Sequence, residues 1–463
     1  MAYVAISNAH SLAQNRRLDA EYFSPAGIEA TRIIEKFPRL TPLHRITERV
    51  TQGPNPRFSS TGIPCLNGKN IYFGTASAGE PNFVSRQEYE RLRDYQLLEN
   101  DLVITLKHAT KIGRTWIIES TDNKLFTRNV GMIRLKSHSL VNHASLLFYL
   151  CSDYAQRILD RIATGGTSGQ ITLATSALKN LPIPIFHDSF QLVLDSYLMN
   201  YHIVLGKSQT KFRDAESLLL AELGLADWQP GHTLTFVRRY SEAAHARRLD
   251  AEHFQPKFQN MFNRLSGQVN LDRLGKLANV EKGIEVGGLA YTDTGCPFLR
   301  VSNLTRHGLV ESNVNYITNE LYHALQDNYE PKQGEILLSK DATPGSAFYL
   351  EHQIQGIISS GILRLQIINE ILPHYFELVL NSIFVQLQIE QDAGGSVIIH
   401  WKPSEVRKTL IPRLSPEKEA SIADLVQQSH AARREAKALL ENAKRAVEIA
   451  IEENEDTAIN SLQ

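Results

Sequence analysis

The residues of this chain with most to offer chemically fall in three polar stretches, each of which occurs twice. The first is Lys107, His108, Thr110, Lys111 and Arg114, directly after the β-rich run Asp101–Leu106; its second occurrence is Lys340, Asp341, Thr343 and Ser346 after Gly334–Ser339. The second is Gly165-Gly166-Thr167-Ser168-Gly169-Gln170, echoed by Gly394-Gly395-Ser396 leading to His400 and Lys402. The third pairs Lys69 and Asn70 with Arg300 and Asn303, each beside a β-rich segment. Cations, amides and hydroxyls on loops attract anions and hydrogen-bond polar edges, and glycines let a backbone approach closely. Each stretch also has a plain reading: a solvated hairpin for the first, a mobile turn between helix and strand for the second.

None of these sets contains a convergent acid, base and nucleophile, and the known catalytic signatures fail where they are approached. Gly206-Lys207-Ser208 resembles the end of a phosphate loop, but Tyr201 occupies the place of the first glycine and the trio lies in a helical pattern. Gly165 to Gly169 centres on Thr167 rather than a serine, and Glu435-Ala436-Lys437 reads as helix-surface charge. There is no His-Glu-x-x-His. Cys65, Cys151 and Cys296 have no metal-ligand or disulfide spacing and read as reduced core residues. No catalytic residue, metal or cofactor is therefore expected on this chain.

The elements that must position the loops are duplicated. Arg16 to Pro25 and Arg247 to Pro256 share Arg-Arg-Leu-Asp-Ala-Glu, then Phe and Pro at the same places. Gly62-Ile63-Pro64-Cys65-Leu66 echoes Gly295-Cys296-Pro297-Phe298-Leu299, Gly131 to Leu135 echoes Gly361 to Leu365, and Ile183-Pro184 echoes Ile411-Pro412, all in the same order. So long a period makes each copy a domain with its own core. Within the repeated decapeptide, Leu18, Phe23, Leu249 and Phe254 are expected to anchor the segment while its charges pair locally. Short β-rich runs alternate with helices such as Ala144–Leu150 and Tyr375–Leu380, which makes the fold class α+β.

After each Ile-Pro boundary an apolar stripe follows the helical period: Phe190, Leu194, Tyr197, Tyr201, Val204, Ser208, Phe212, Ala215 and Leu219, then Ile422, Leu425, Ser429, Ala432, Ala436, Leu439, Ala443, Ala446 and Ala450. Some 35 residues would make a rod of roughly 50 Å. The economical arrangement is two domains separated by two long antiparallel helices; the alternative packs each helix on its own domain. The expected boundaries are 1–186, a helix at 187–226, 227–412, a helix at 413–453 and a tail at 454–463.

Composition agrees with a globular chain, 42% hydrophobic and 21% charged, and no apolar run is long enough for a membrane span, so a soluble cytoplasmic protein is expected. The net charge of −1 hides an asymmetry: residues 1–186 hold 22 Lys+Arg against 15 Asp+Glu, whereas residues 227–412 hold 17 against 20. Only the first domain could dock on phosphates by its overall field.

Two α+β halves, each opening with Arg-Leu-Asp-Ala-Glu-aromatic-Phe-x-Pro and closing with Ile-Pro into a long helix, resemble the specificity subunit of Type I restriction-modification systems over essentially the whole chain. The resemblance implies two tandem-duplicated target recognition domains, each reading half of a bipartite double-stranded DNA sequence, with the helices as a ruler for the spacer. It further implies a scaffold for two copies of an adenine-N6 methyltransferase subunit and for a restriction and translocation subunit, with S-adenosylmethionine and ATP bound by those partners. The polar loops then become candidate DNA contacts. Tyr197, Tyr201, Val204, Phe212, Leu425, Ala432, Leu439 and Ala443 become candidates for the spacer-helix and partner surfaces. The rival reading is a duplicated scaffold that binds protein only, favoured by the near-zero net charge.

Overall fold

The computed structural model describes residues 19–76, 81–109, 111–119, 123–165, 169–265, 269–310, 314–392 and 400–462. Two compact units share the chain: one runs up to Val204 and takes up the chain again from Arg434, the other is Leu205–Arg433.

In the first unit the apolar run Leu102–Thr105, buried at every position, forms an inner strand of a four-stranded antiparallel sheet. The order across the sheet is Thr47–Gln52, Val130–Leu135, Leu102–Thr105, Thr115–Ile117. Met132 lies opposite Thr51 on one side and Val103 on the other, and Val103 opposite Trp116. Burial of consecutive residues requires cover on both faces, since successive side chains point to opposite sides. The His143–Cys151 helix supplies part of that cover. Ala144 through Leu150 are all buried, so this helix is enclosed rather than laid on a surface. Asn142 caps it by accepting from Ser145 N at 2.9 Å, and Ser152 starts the next helix by accepting from Ala155 N.

The second unit has its own four-stranded antiparallel sheet in the order Ala278–Lys282, Ile362–Ile367, Glu335–Ser339, Ala347–Tyr349. Leu365 pairs with Val280 on one side and Ile336 on the other. The Pro373–Asn381 helix is likewise buried, from His374 to Leu380. The boundary prolines of both copies are not loop residues. Pro182–Pro184 pairs with Leu40–Pro42, and Leu410–Arg413 with Asn270–Arg273, each as an isolated two-stranded sheet. Such edge positions tolerate a residue without an N–H.

The two stripes form helices Asp188–Glu222 and Pro416–Glu452. Phe190, Leu194, Tyr201, Val204, Ser208, Phe212, Ala215 and Leu219 are buried, and Tyr197 is half-buried. Within the second unit the helices run antiparallel, because Ser208 meets Ser429 (Oγ···Oγ 3.1 Å) while Glu222 meets Lys418 (2.6 Å). The division between the two compact units falls within both helices. Tyr201 packs edge-on against Trp116 and donates from Oη to Gly74 O at 2.5 Å in the first unit. Phe212 packs against His307, and Glu216 pairs with Arg306, in the second. Each helix thus buries one part of its stripe on each unit. The last residues are not a loose tail: Glu455–Asn460 is helical, Glu455 accepts from His187 N, and Leu462 O accepts from Tyr197 Oη.

One expected anchor fails. Leu249 is 85% exposed. Its segment is held instead by polar groups: Arg248 donates to the carbonyls of Gln391 and Asp392 at the end of the Ile383–Asp392 helix, and His253 Nδ1 lies 2.7 Å from Gln391 O. Phe23 is buried and Phe254 half-buried, whereas Leu18 lies outside the described residues.

Candidate nucleic-acid interface

Strand pairing brings the separate polar stretches of the first unit together. Lys107–His108 pairs with Ile171–Thr172, which pairs in turn with Thr164–Gly165, so the two loops hang from one small sheet. The turn carrying Lys69 joins them, since a Cβ added to Gly68 would sit 3.6 Å from Lys107 O and 3.8 Å from the His108 ring. Lys69 and Gln170 are exposed, and Lys107 and Lys111 are half-buried. Lys111 reaches Asp160 at 2.9 Å, with the two side chains 39% and 51% exposed. An ion pair this wet contributes about 0–1 kcal/mol, so it leaves the ammonium available to a phosphate.

His108 and Arg114 are more constrained. Burial, then the nearby Arg114 charge, lowers the pKa of His108, so this imidazole is neutral at pH 7 and acts by hydrogen bonding, not charge. The Arg114 guanidinium lies over the Tyr72 ring at 4.6 Å, half-buried, which fixes a planar donor fork. Tyr72 carries no sequence signal that would have found it. Thr110, Thr167 and Ser168 lie outside the described residues.

Asn70 is not a base-reading candidate. It is fully buried, and its Oδ1 accepts from Asn67 N at 2.8 Å, closing the turn that presents Lys69. Asn303 repeats this role, buried, with Oδ1 accepting from Arg300 N and Nδ2 donating to Val310 O. Amides occupied in this way cannot reach a groove, and the useful member of each pair is its neighbour, exposed Lys69 or half-buried Arg300.

In the second unit the loops also meet, through an antiparallel bridge between Asp341 and His400 and the bond from Trp401 N to Lys340 O. Their character differs. Lys340 is 8% exposed and bound to Asp341 at 2.6 Å, so it is an internal charge and not a free phosphate contact. Asp341 also holds His400 Nδ1 at 2.8 Å; burial works to raise the Asp341 pKa, but the bonds from Lys340 and His400 outweigh it and hold the carboxyl below its ordinary range. Thr343, His400 and Lys402 remain exposed, and Ser346 is half-buried, its N–H donating to Ser339 Oγ. Ser396 lies outside the described residues. This face is polar rather than cationic, as the acid-rich composition of residues 227–412 requires.

On the helices, Tyr201, Val204, Phe212 and Ala443 are buried within the chain and so are packing residues, not surfaces open to a partner. Tyr197, Leu425, Ala432 and Leu439 are half-buried. The apolar residues the first helix leaves open are others: Leu192, Met199 and Ile203, 67%, 60% and 49% exposed. Gly206-Lys207-Ser208 lies inside this helix, with Ser208 buried against Ser429, and forms no loop. No helix among the described residues is long and apolar enough to cross a membrane.

No protein-family profile and no curated protein sequence matches the chain. Solved structures do. A Type-I restriction-modification system S subunit from M. genitalium is similar over 92% of this chain and 96% of its own, at 13% identity and a TM-score of 0.36. The HsdS subunit from Thermoanaerobacter tengcongensis is similar over 90% and 97%, at 15% identity and a TM-score of 0.29. A chain from a study of type I R-M complex assembly and conformational transition is similar over 90% and 98%, at 13% identity and a TM-score of 0.29. Two of these three solved chains, to which this protein is similar along at least nine-tenths of its length, are thus Type I restriction-modification specificity subunits.

Proposed function

We propose that this chain is the DNA sequence-specificity subunit of a Type I restriction-modification complex, non-catalytic itself, reading a gapped bipartite target. The observation that carries this reading is the repeated convergence of polar loops. In each unit, beside a four-stranded sheet of the same strand order, two polar stretches far apart in sequence are brought together by backbone pairing, and in the first unit the turn carrying Lys69 joins them. Two such faces on one chain suit two half-sites, and the matching strand orders support descent by tandem duplication. Exposed Lys69 with half-buried Lys107 and Lys111 suits phosphate contact, and Gln170 and Thr343 can address base edges. The second unit, with Lys340 neutralised internally, would lean on hydrogen bonding and on positive charge supplied by a partner.

The paired helices are the natural spacer, and Leu192, Met199 and Ile203 offer an apolar stripe to a partner subunit. In this reading two methyltransferase subunits and a restriction subunit dock on the chain and bring S-adenosylmethionine and ATP with them. The near-zero net charge and the polar, non-cationic second face are what favour the rival reading of a protein-only scaffold. Selection from a random double-stranded DNA pool with the co-expressed complex separates the two. A specificity subunit enriches two short motifs at one fixed spacing, and a scaffold enriches nothing.

A further inference from the structure

Within the second unit, away from the polar loops, His374, Glu377 and His430 converge in the core at 8%, 0% and 4% exposure. His374 and Glu377 stand one turn apart on the Pro373–Asn381 helix, and His430 comes from the long helix Pro416–Glu452. Nδ1 of His374 is 3.3 Å from Glu377 Oε2, and Nε2 of His430 is 3.1 and 3.0 Å from the two Glu377 oxygens. One ligand atom from each residue lies within 4.8 Å of the others. The second nitrogen of His374, Nε2, is 3.1 Å from the Glu351 carboxylate.

Three buried groups of the kinds that ligate divalent ions thus face one point from two helices, with the Glu351 carboxylate behind one of them.

We propose that His374 Nδ1, Glu377 and His430 Nε2 bind a single divalent transition-metal ion of the zinc class, with Glu351 orienting His374 from behind. Imidazole nitrogen and carboxylate oxygen are the donors such ions take. Bonds of about 2.0–2.1 Å in a tetrahedron put neighbouring donors about 3.4 Å apart. Two of the three edges, at 3.3 and 3.0 Å, already approach that value, and the third is no longer than 4.8 Å. A carboxylate behind a ligating histidine fixes its tautomer and raises its basicity, which is the role open to Glu351. The ion would fasten the second long helix, through His430, to the sheet-covering helix of the second unit. The sequence hides the site because His430 is 53 residues from Glu377.

The test uses the full chain, freed of metal by a chelator and titrated with Co2+. The expected result is a visible ligand-field band that saturates at one equivalent, is displaced by one equivalent of Zn2+, and accompanies a rise in Tm. His430→Gln should abolish the band, and Glu351→Gln should keep it with affinity lowered about 10–100-fold. Absence of any saturable band in the folded wild-type chain overturns the proposal. So does a band that His430→Gln retains, which would report surface histidines among the chain's 16. Because the wild-type titration decides by itself, misfolding of a variant does not rescue the idea.

Discussion

Replacing Lys69, Lys107 and Lys111 together with alanine removes three ammonium groups from one loop cluster and almost nothing else. Lys69 is exposed, and the other two are half-buried. Lys111 has one wet partner, Asp160, whose loss costs at most about 1 kcal/mol of stability. If each lysine contacts one phosphate, each accounts for about 0.9 in the slope of log affinity against log salt. The triple variant should then show a slope shallower by up to about 2.7, so that its affinity deficit shrinks about 40-fold between about 50 and 200 mM salt. Fluorescence anisotropy with labelled duplex, on wild-type and variant complexes purified alike, reads this directly. Lys340→Ala is the internal control. It leaves Asp341 with His400 as its remaining partner of the two and should lower Tm while leaving the slope alone. A triple variant with the wild-type slope would refute phosphate contact by this cluster, and an equal deficit at every salt concentration would refute the electrostatic argument.

Three smaller expectations concern stability. Gly206 is exposed inside the first long helix with nothing within 4 Å of an added Cβ, so Gly206→Ala should stabilise by about 0.5–1 kcal/mol in chemical denaturation. A loss would mean the helix is not regular there. An added Cβ on Gly53 or Gly283 would instead sit 2.4 Å from Thr127 O or 2.2 Å from Ser359 O, so each alanine should cost roughly 1–3 kcal/mol, and a neutral result would contradict the close approach of these backbones. Hydrogen bonds from Arg91, then from the Arg57 backbone, hold the Glu88 carboxyl down from 4.5 to about 2. Because the folded value is the lower one, this stabilisation is complete above about pH 4.5 and disappears as the pH falls towards 2. The gap in stability between wild type and Glu88→Gln should therefore narrow over that window, and a constant gap would remove Glu88 from the account.

What could be read in the sequence was whatever repeats locally. The helix stripe from Phe190 to Leu219 is legible because burial on a helix recurs every three to four residues, and the runs Leu102–Thr105 and Glu335–Ser339 because consecutive apolar residues need a covered strand. What could not be read depends on pairing between distant residues. Nothing near Lys107 announces Thr172 as its partner, so the meeting of the two loops stayed hidden. An asparagine that closes a turn looks the same in sequence as one that faces solvent, which is why Asn70 and Asn303 misled. Lys340 misled for a related reason: only its burial beside Asp341 shows that its charge is spent internally. Leu249 was misjudged because the segment's hold on its unit passes through Arg248 and His253, polar groups whose acceptors lie over a hundred residues away.

The central claim, that this chain chooses a DNA sequence, is tested most directly by co-expressing it with a Type I adenine-N6 methyltransferase subunit with which it co-purifies and mapping N6-methyladenine across the host genome by long-read sequencing. A gapped two-part motif, methylated on both strands and absent without this chain, is the predicted result and gives both half-sites and the spacer. A stable co-purifying complex that leaves the methylation pattern unchanged would contradict the claim and turn the account towards a protein-only scaffold.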